Sequence, residues 1–85
     1  MKPHWDDLKT VLALVRAGNL AGAAVQLGVS YTTVARRVAR IETSLNTKLF
    51  ERMADGYSPT EAALLVAKHA ALMQNAEHSM LRELV

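Results

Sequence analysis

The stretch LAGAAVQLGVSYTTVARRVA, residues 20–39, decides the fold of this 85-residue chain. Three of its residues, Ala24, Gly28 and Val34, follow the spacing Ala-x3-Gly-x5-Val. The short side chain of Ala24 lets two helices approach closely, and Gly28 permits φ > 0 where the first of them ends. Val34 is the first apolar residue of the following segment that would point back into a core. The spacing therefore predicts two helices joined by a tight turn, a helix-turn-helix.

The second of these helices is basic on one side and apolar on the other. We predict that it runs from Tyr31 to Leu45, with Val29 filling the turn, Ser30 as N-cap and Asn46 ending it in a left-handed conformation. The predicted buried stripe is Val34, Val38, Ile41 and Leu45. The opposite face carries Thr33, Arg36, Arg37 and Arg40. A basic helix that a partner helix holds at a fixed angle fits the major groove of DNA.

The segments around this pair complete a small helical domain with a wing. A helix is predicted over Trp5–Ala17, with the Asp6-Asp7 pair acting as helix-dipole charges in its first turn. Gly18 ends this helix, and Asn19 caps the next, over Leu20–Leu27. Beyond it, strands are predicted at Lys48–Arg52 and Tyr57-Ser58 with a turn at Asp55-Gly56, followed by a helix that Thr60 caps and that runs to the C-terminus.

Composition limits the class of protein. Hydrophobic residues make up 51% of the chain and aromatic residues only 5%, which favours Ala/Leu/Val-rich helices around one small core. Without cysteine the chain has no disulfide, no thiolate metal site and no cysteine nucleophile. We find no apolar run long enough for a signal peptide or a membrane span, so we expect a soluble protein with no membrane partner. His4, His69 and His78 are too scattered for a metal site, and we expect no metal and no cofactor.

The cationic side chains are concentrated in one region. Five of the ten Lys and Arg residues fall within 17 positions, against two glutamates; they are Arg36, Arg37, Arg40, Lys48 and Arg52. Such a cluster is typical of a surface that binds phosphate. A solvated charged face is the alternative interpretation.

The last helix has more apolar surface than one small core can cover. Val66, Met73 and Met80 repeat every seven residues, and Leu65 and Leu72 flank them. This pattern predicts a seam with a second copy of the chain. The alternative is that the helix folds back on its own domain as ordinary core.

The chain resembles the N-terminal winged helix-turn-helix domain of the LysR-type transcriptional regulators. The matching residues, in family order and spacing, are Gly18-Asn19-Leu20, Ala23-Ala24, Leu27–Ser30, Thr33–Val38, Arg40-Ile41-Glu42, Leu45, Leu49–Arg52 and Thr60-Glu61-Ala62. The resemblance implies a mainly α fold, with a three-helix core, a two-stranded wing and a long C-terminal linker helix. It implies a DNA-binding domain over residues 1–59 and a linker and dimerisation helix over residues 60–85.

The resemblance also implies roles for single residues. Tyr31, Thr32, Thr33 and Arg36 would face base edges or nearby phosphates, and Arg52 would support the wing on the DNA backbone. In this chain Tyr31 replaces a common Gln, which removes a bidentate contact to adenine. Ala35 replaces a common Ser, and Asp55 lies in the wing tip where many relatives carry a basic residue.

Family members continue into an effector-binding domain that these 85 residues do not include, so we expect a DNA-binding piece of a longer regulator. The resemblance implies double-stranded DNA as partner, a homodimer through the C-terminal helix, a tetramer as the further possibility for the full-length protein, and a small-molecule effector only through the missing domain. It implies a cytoplasmic, nucleoid-associated bacterial protein.

Two other classes of function compete with DNA binding. A winged helix that binds protein would favour an acidic or apolar outer face on the third helix, and Arg36, Arg37 and Arg40 argue against it. A small enzyme would need a constellation of polar residues in a pocket, and the sequence offers none. Ser30 is better explained as an N-cap than as a nucleophile, since no general base lies near it. We therefore predict that the chain is not an enzyme.

Overall fold

The structure is a computed structural model that describes residues 2–85. It contains α1 (Trp5–Ala17), α2 (Leu20–Leu27), α3 (Tyr31–Leu45), β1 (Phe50–Met53), β2 (Gly56–Pro59) and α4 (Glu61–Leu84). The bounds predicted for the first three helices are confirmed. So is the fold class, a winged helix-turn-helix with a long last helix.

Local capping signals explain why the helices end where they do. Gly18 and Gly28 adopt the left-handed conformation, with φ of 78° and 69°, and Asn46 does so with φ of 49°. At the helix starts, Asn19 Oδ1 accepts a hydrogen bond from the backbone N–H of Gly22 at 2.7 Å, and Ser30 Oγ accepts one from Thr33 at 3.2 Å. Each cap satisfies backbone groups that the helix itself leaves unpaired.

The first three helices enclose one apolar core to which the start of the wing contributes. The predicted close approach at Ala24 is confirmed, because this residue and Ala23 are both buried. From α3, Val34, Val38 and Ile41 are fully inside, whereas Leu45 packs only against the edge of the core. The remaining buried members include Val11, Leu14, Leu49, Phe50 and Ala63. This packing fixes the angle of α3 relative to α2.

The wing is a two-stranded antiparallel sheet in which Phe50 pairs with Pro59 and Met53 with Gly56. The first strand begins two residues later than predicted, because the chain before it is held by a side chain of α3. Glu42 Oε2 accepts hydrogen bonds from the backbone N–H groups of Leu49 at 2.8 Å and of Phe50 at 3.3 Å. Hydrogen bonds therefore connect α3 directly to the start of the wing.

The wing is also anchored on the turn between α1 and α2. The backbone N–H of Tyr57 donates to the carbonyl oxygen of Gly18 at 2.8 Å. Next to it, Gly56 has a φ of 153°, and a Cβ atom at this position would overlap that same carbonyl oxygen. The close approach therefore requires glycine at position 56.

One face of α4 belongs to the core of its own domain. Thr60 Oγ1 accepts a hydrogen bond from the backbone N–H of Ala63 at 3.2 Å, which confirms the predicted cap. Ala63, Ala67 and Ala70 form a buried stripe, whose last two members pack with Leu12 of α1. No helix within residues 2–85 is both long and apolar enough to cross a membrane.

The second face of α4 is apolar and exposed. Leu65, Leu72, Met73 and Met80 of the predicted seam all lie on it. Val66 differs from them, because it is partly buried and packs against the main core of its own domain. One side of α4 is thus ordinary core, formed by alanines that face α1. A second side, formed by larger apolar residues, is not covered by its own domain.

Candidate nucleic-acid interface

The outer face of α3 is exposed to solvent. At about 100° per residue, Thr32, Arg36, Ala39 and Thr43 lie opposite the buried stripe, and all four are exposed. Arg36 is the only long side chain among them, and none of the four is acidic. Arg36 is thus flanked by small residues on this face, and the guanidinium group of Arg40 lies beside it one turn further along the helix.

The first turn of α3 places Tyr31, Thr32 and Thr33 differently. Tyr31 is 63% exposed, and Thr32 is exposed as well. Thr33 is half-buried, and its hydroxyl lies 3.0 Å from that of Ser30, so it forms part of the helix cap. Of the three residues, Tyr31 and Thr32 have side chains free to contact a partner.

The three arginines of α3 have unequal surroundings. Within residues 2–85, Arg36 and Arg37 form no ion pair, and Arg36 is the more exposed of the two. Arg40 is bound to Asp7 of α1 through Nε to Oδ2 at 2.8 Å and Nη2 to Oδ1 at 2.6 Å. The side chain of Asp7 is 2% exposed and that of Arg40 is 45% exposed. The hydrogen bonds that Arg40 donates to Asp7 raise its pKa. Desolvation opposes this rise in the pKa, and the carboxylate charges of Asp7 and Asp6 add to it.

The assignment of Asp7 as a helix-dipole charge was incomplete. Asp6 does lie at the surface, where Lys9 approaches it to 3.6 Å, but Asp7 is buried and binds Arg40 of α3. A signal for this exists in the sequence. Asp7 precedes the buried residues Val11 and Leu14 at i, i+4 and i+7, so the helical period places it on the inward face of α1.

The predicted basic residues of the wing lie beside α3. Lys48 and Arg52 are exposed and line, together with Ala35 and Ala39, a cleft of about 170 Å³ between α3 and the wing. The guanidinium carbon of Arg52 lies 5.9 Å from the ring centroid of Tyr57, whose own ring meets Phe50 edge-on at 6.3 Å. The fold thus brings cations from two separate segments to the edges of one surface.

Two further features bear on what this surface can do. Asp55 is exposed at the turn of the wing, so the wing tip carries a negative charge. No group of three or more His, Asp or Glu side chains within residues 2–85 could hold a metal ion.

Comparison with known proteins identifies the class to which this geometry belongs, the helix-turn-helix regulators. The family described as bacterial regulatory helix-turn-helix protein, LysR family, matches residues 5–64. The chain belongs to this family.

Curated relatives are longer than this chain. The Mau operon transcriptional activator of Paracoccus denitrificans is 38% identical over 81 residues, which cover 95% of this chain and 29% of the activator. The transcriptional activator TtdR of Escherichia coli is 33% identical over 68 residues, which cover 80% of this chain and 22% of TtdR. The chain spans less than a third of either protein.

Solved structures share the fold. The DNA-binding domain of CbnR in complex with DNA is 31% identical, covers 94% of this chain and 93% of its own, and has a TM-score of 0.81. The oxidised form of Corynebacterium glutamicum OxyR superposes with a TM-score of 0.91 over the whole chain and 28% of its own, at 22% identity. The latter similarity concerns the fold alone.

Proposed function

We propose that this chain binds double-stranded DNA sequence-specifically, as the DNA-binding part of a LysR-type transcriptional regulator. The observation that carries the proposal is the outer face of α3, where unpaired Arg36 stands among small residues opposite the buried stripe. A helix with such a face can approach base edges in the major groove, and arginine binds the O6 and N7 atoms of guanine through two hydrogen bonds. The similarity to a domain solved with DNA supports the same function.

Within this interface we distinguish side chains that contact base edges from side chains that contact phosphates. Arg36, Tyr31 and Thr32 contact base edges. Thr33, whose hydroxyl is bound to that of Ser30, lies next to a phosphate at the first turn of α3 and supports the contacts there through the helix cap. Arg37, Lys48 and Arg52 neutralise phosphates on either side of the groove, since such contacts position a protein on DNA. Arg40 contacts phosphate through the guanidinium N–H groups that Asp7 does not occupy.

We propose that residues 1–59 form the DNA-binding unit and that residues 60–85 form a dimerisation helix, which pairs with its copy through Leu65, Leu72, Met73 and Met80. Val66 contributes from the edge of the core. The exposed face continues into an apolar groove of about 320 Å³, which includes Leu8, Leu45 and His69. Removing such surface from water contributes about 25 cal/mol per Å², from which the entropy lost on association must be subtracted. Two-fold symmetry would place two α3 helices on one side of a partly palindromic site.

The remaining properties follow from the family. We propose a cytoplasmic, nucleoid-associated bacterial regulator that binds no cofactor through this part and has no enzymatic activity. A small-molecule effector would act through a further domain. In the full-length regulator, a tetramer is the alternative to a dimer. Relatives described as transcriptional activators support a role in transcription regulation.

The proposal is tested by measuring the affinity of the chain for two labelled duplexes by fluorescence anisotropy at two salt concentrations. One duplex is selected by the chain, and the other is a shuffled duplex with the same composition. Sequence-specific binding predicts tighter binding to the selected duplex at both salt concentrations, and weaker binding of both duplexes at higher salt as phosphate contacts are screened. Arg82→Ala, which removes a charge from the polar side of α4, is the matched control. Equal affinity for both duplexes would contradict sequence-specific recognition, and no binding at either salt concentration would favour a protein-binding module.

A further inference from the structure

Tyr31 differs from the other aromatic residues of the chain. Trp5 donates a hydrogen bond from Nε1 to Glu77 Oε2 at 3.3 Å, and the rings of Phe50 and Tyr57 pack edge-on. Within residues 2–85, Tyr31 makes no side-chain hydrogen bond and packs against neither apolar cluster. It is 63% exposed at the first position of α3. Folding therefore does not explain why an aromatic ring occupies this position.

The neighbours of Tyr31 narrow the chemistry available at this end of the helix. The hydroxyl groups of Ser30 and Thr33 are hydrogen-bonded to each other and to the helix start, which leaves the phenol ring as the large free group there. A phenol has one O–H group and cannot form the paired donor and acceptor contact by which an amide side chain reads adenine. Most of its surface is apolar.

The major groove offers one apolar group on a base edge, the C5-methyl group of thymine. We infer that the ring of Tyr31 packs on a thymine methyl group and makes thymine the preferred base at one position of each half-site. This inference rests on the proposed function, because it requires α3 in the major groove. To the proposed function it adds the base that Tyr31 selects, thymine, and the group that Tyr31 contacts, the C5-methyl group.

The test removes that methyl group alone. In a duplex selected by the chain, each thymine is replaced in turn by deoxyuridine, which keeps the hydrogen-bonding edge of the base and lacks only the C5-methyl group. The parent chain should bind about fourfold more weakly at one position per half-site, which corresponds to the loss of one buried methyl group.

Three variants assign the effect to the ring. Tyr31→Ala should bind thymine and deoxyuridine equally at that position, Tyr31→Phe should keep the fourfold preference, and Leu64→Ala, which trims an exposed apolar residue of α4, should behave as the parent does. A Tyr31→Ala variant that keeps the full preference at every position would overturn the inference, as would loss of the preference in Tyr31→Phe. Failure of the proposed function is distinguishable, since the parent would then not prefer the selected duplex over a shuffled one.

Discussion

Asp7 in the first turn of α1 and Arg40 in the third turn of α3 are joined by two short hydrogen bonds, of 2.6 and 2.8 Å, although 33 residues separate them in sequence. The carboxylate is buried and the guanidinium group is half-exposed. The pair ties the helix proposed to enter DNA to the most central helix of the core. Arg40 is therefore a positioning residue as well as a proposed phosphate contact.

The unequal burial of the two partners predicts unequal effects of their removal. Arg40→Met should lower the free energy of unfolding more than Asp7→Asn, because it leaves a buried carboxylate without a partner, whereas the arginine left by Asp7→Asn can turn to water. The double variant should lose less than the sum of the two single variants. Urea denaturation measures all three, and strictly additive losses would show that the pair contributes no coupling.

The charge of Arg40 should not respond to pH in the physiological range. Its pKa is raised by the hydrogen bond to Asp7, so its contribution to stability is complete below the pKa of an unfolded arginine and is lost only at still higher pH. The difference in stability between the parent and Arg40→Met should thus stay constant between about pH 7 and 9.

The contact between the wing and the α1–α2 turn predicts the relative cost of two glycine substitutions. Gly28→Ala should cost about 1–2 kcal/mol for the left-handed conformation alone, because a Cβ atom there meets nothing within 4 Å. Gly56→Ala should cost more, since its Cβ atom would also overlap the carbonyl oxygen of Gly18. Thermal unfolding ranks the two variants. Equal losses would mean that the wing moves away from the turn at little cost.

Arg36 should dominate sequence recognition. Arg36→Ala is expected to weaken binding to the selected duplex by about 1–3 kcal/mol and to relax the preference at one base position. Lys48→Ala, at the edge of the wing, should instead weaken all duplexes alike and reduce the slope of log affinity against log salt by about one unit. Titrations over operator variants separate the two patterns. An Arg36→Ala variant with unchanged preference would mean that this side chain reads no base.

The exposed face of α4 should carry the dimer. Met73→Lys places a charge in the proposed seam and should convert a dimer into a monomer that binds the full site much more weakly, since each copy then holds only one half-site. Lys68, on the polar side of the helix, provides a matched control as Lys68→Ala, which should remain dimeric. Sedimentation at micromolar concentration measures the assembly. A parent chain that sediments as a monomer and still binds one half-site tightly would contradict the dimer.

The sequence predicted the elements whose ends are set by their own residues. Gly18, Gly28 and Asn46 reverse the chain locally, while Asn19 and Ser30 cap the helices that follow them, so no distant contact was needed to place these boundaries. The outer face of α3 could also be predicted from the sequence, because the helical period separates Arg36 from the buried stripe.

Features that depend on residues distant in sequence were missed. The start of β1 shifted because Glu42, seven residues before Leu49, holds the backbone there. The burial of Asp7 became visible only with Arg40 beside it. Val66 was assigned wholly to a seam because the heptad pattern does not reveal how far the core of the same domain reaches along α4.

Selection of bound sequences from a pool of random duplexes measures sequence-specific recognition by α3. We expect the parent chain to enrich a partly palindromic site, with half-sites separated by about one helical turn of DNA, and the enriched positions to change in Arg36→Ala. A pool that stays unenriched after repeated rounds, while its duplexes bind with equal affinity, would contradict sequence-specific recognition by α3.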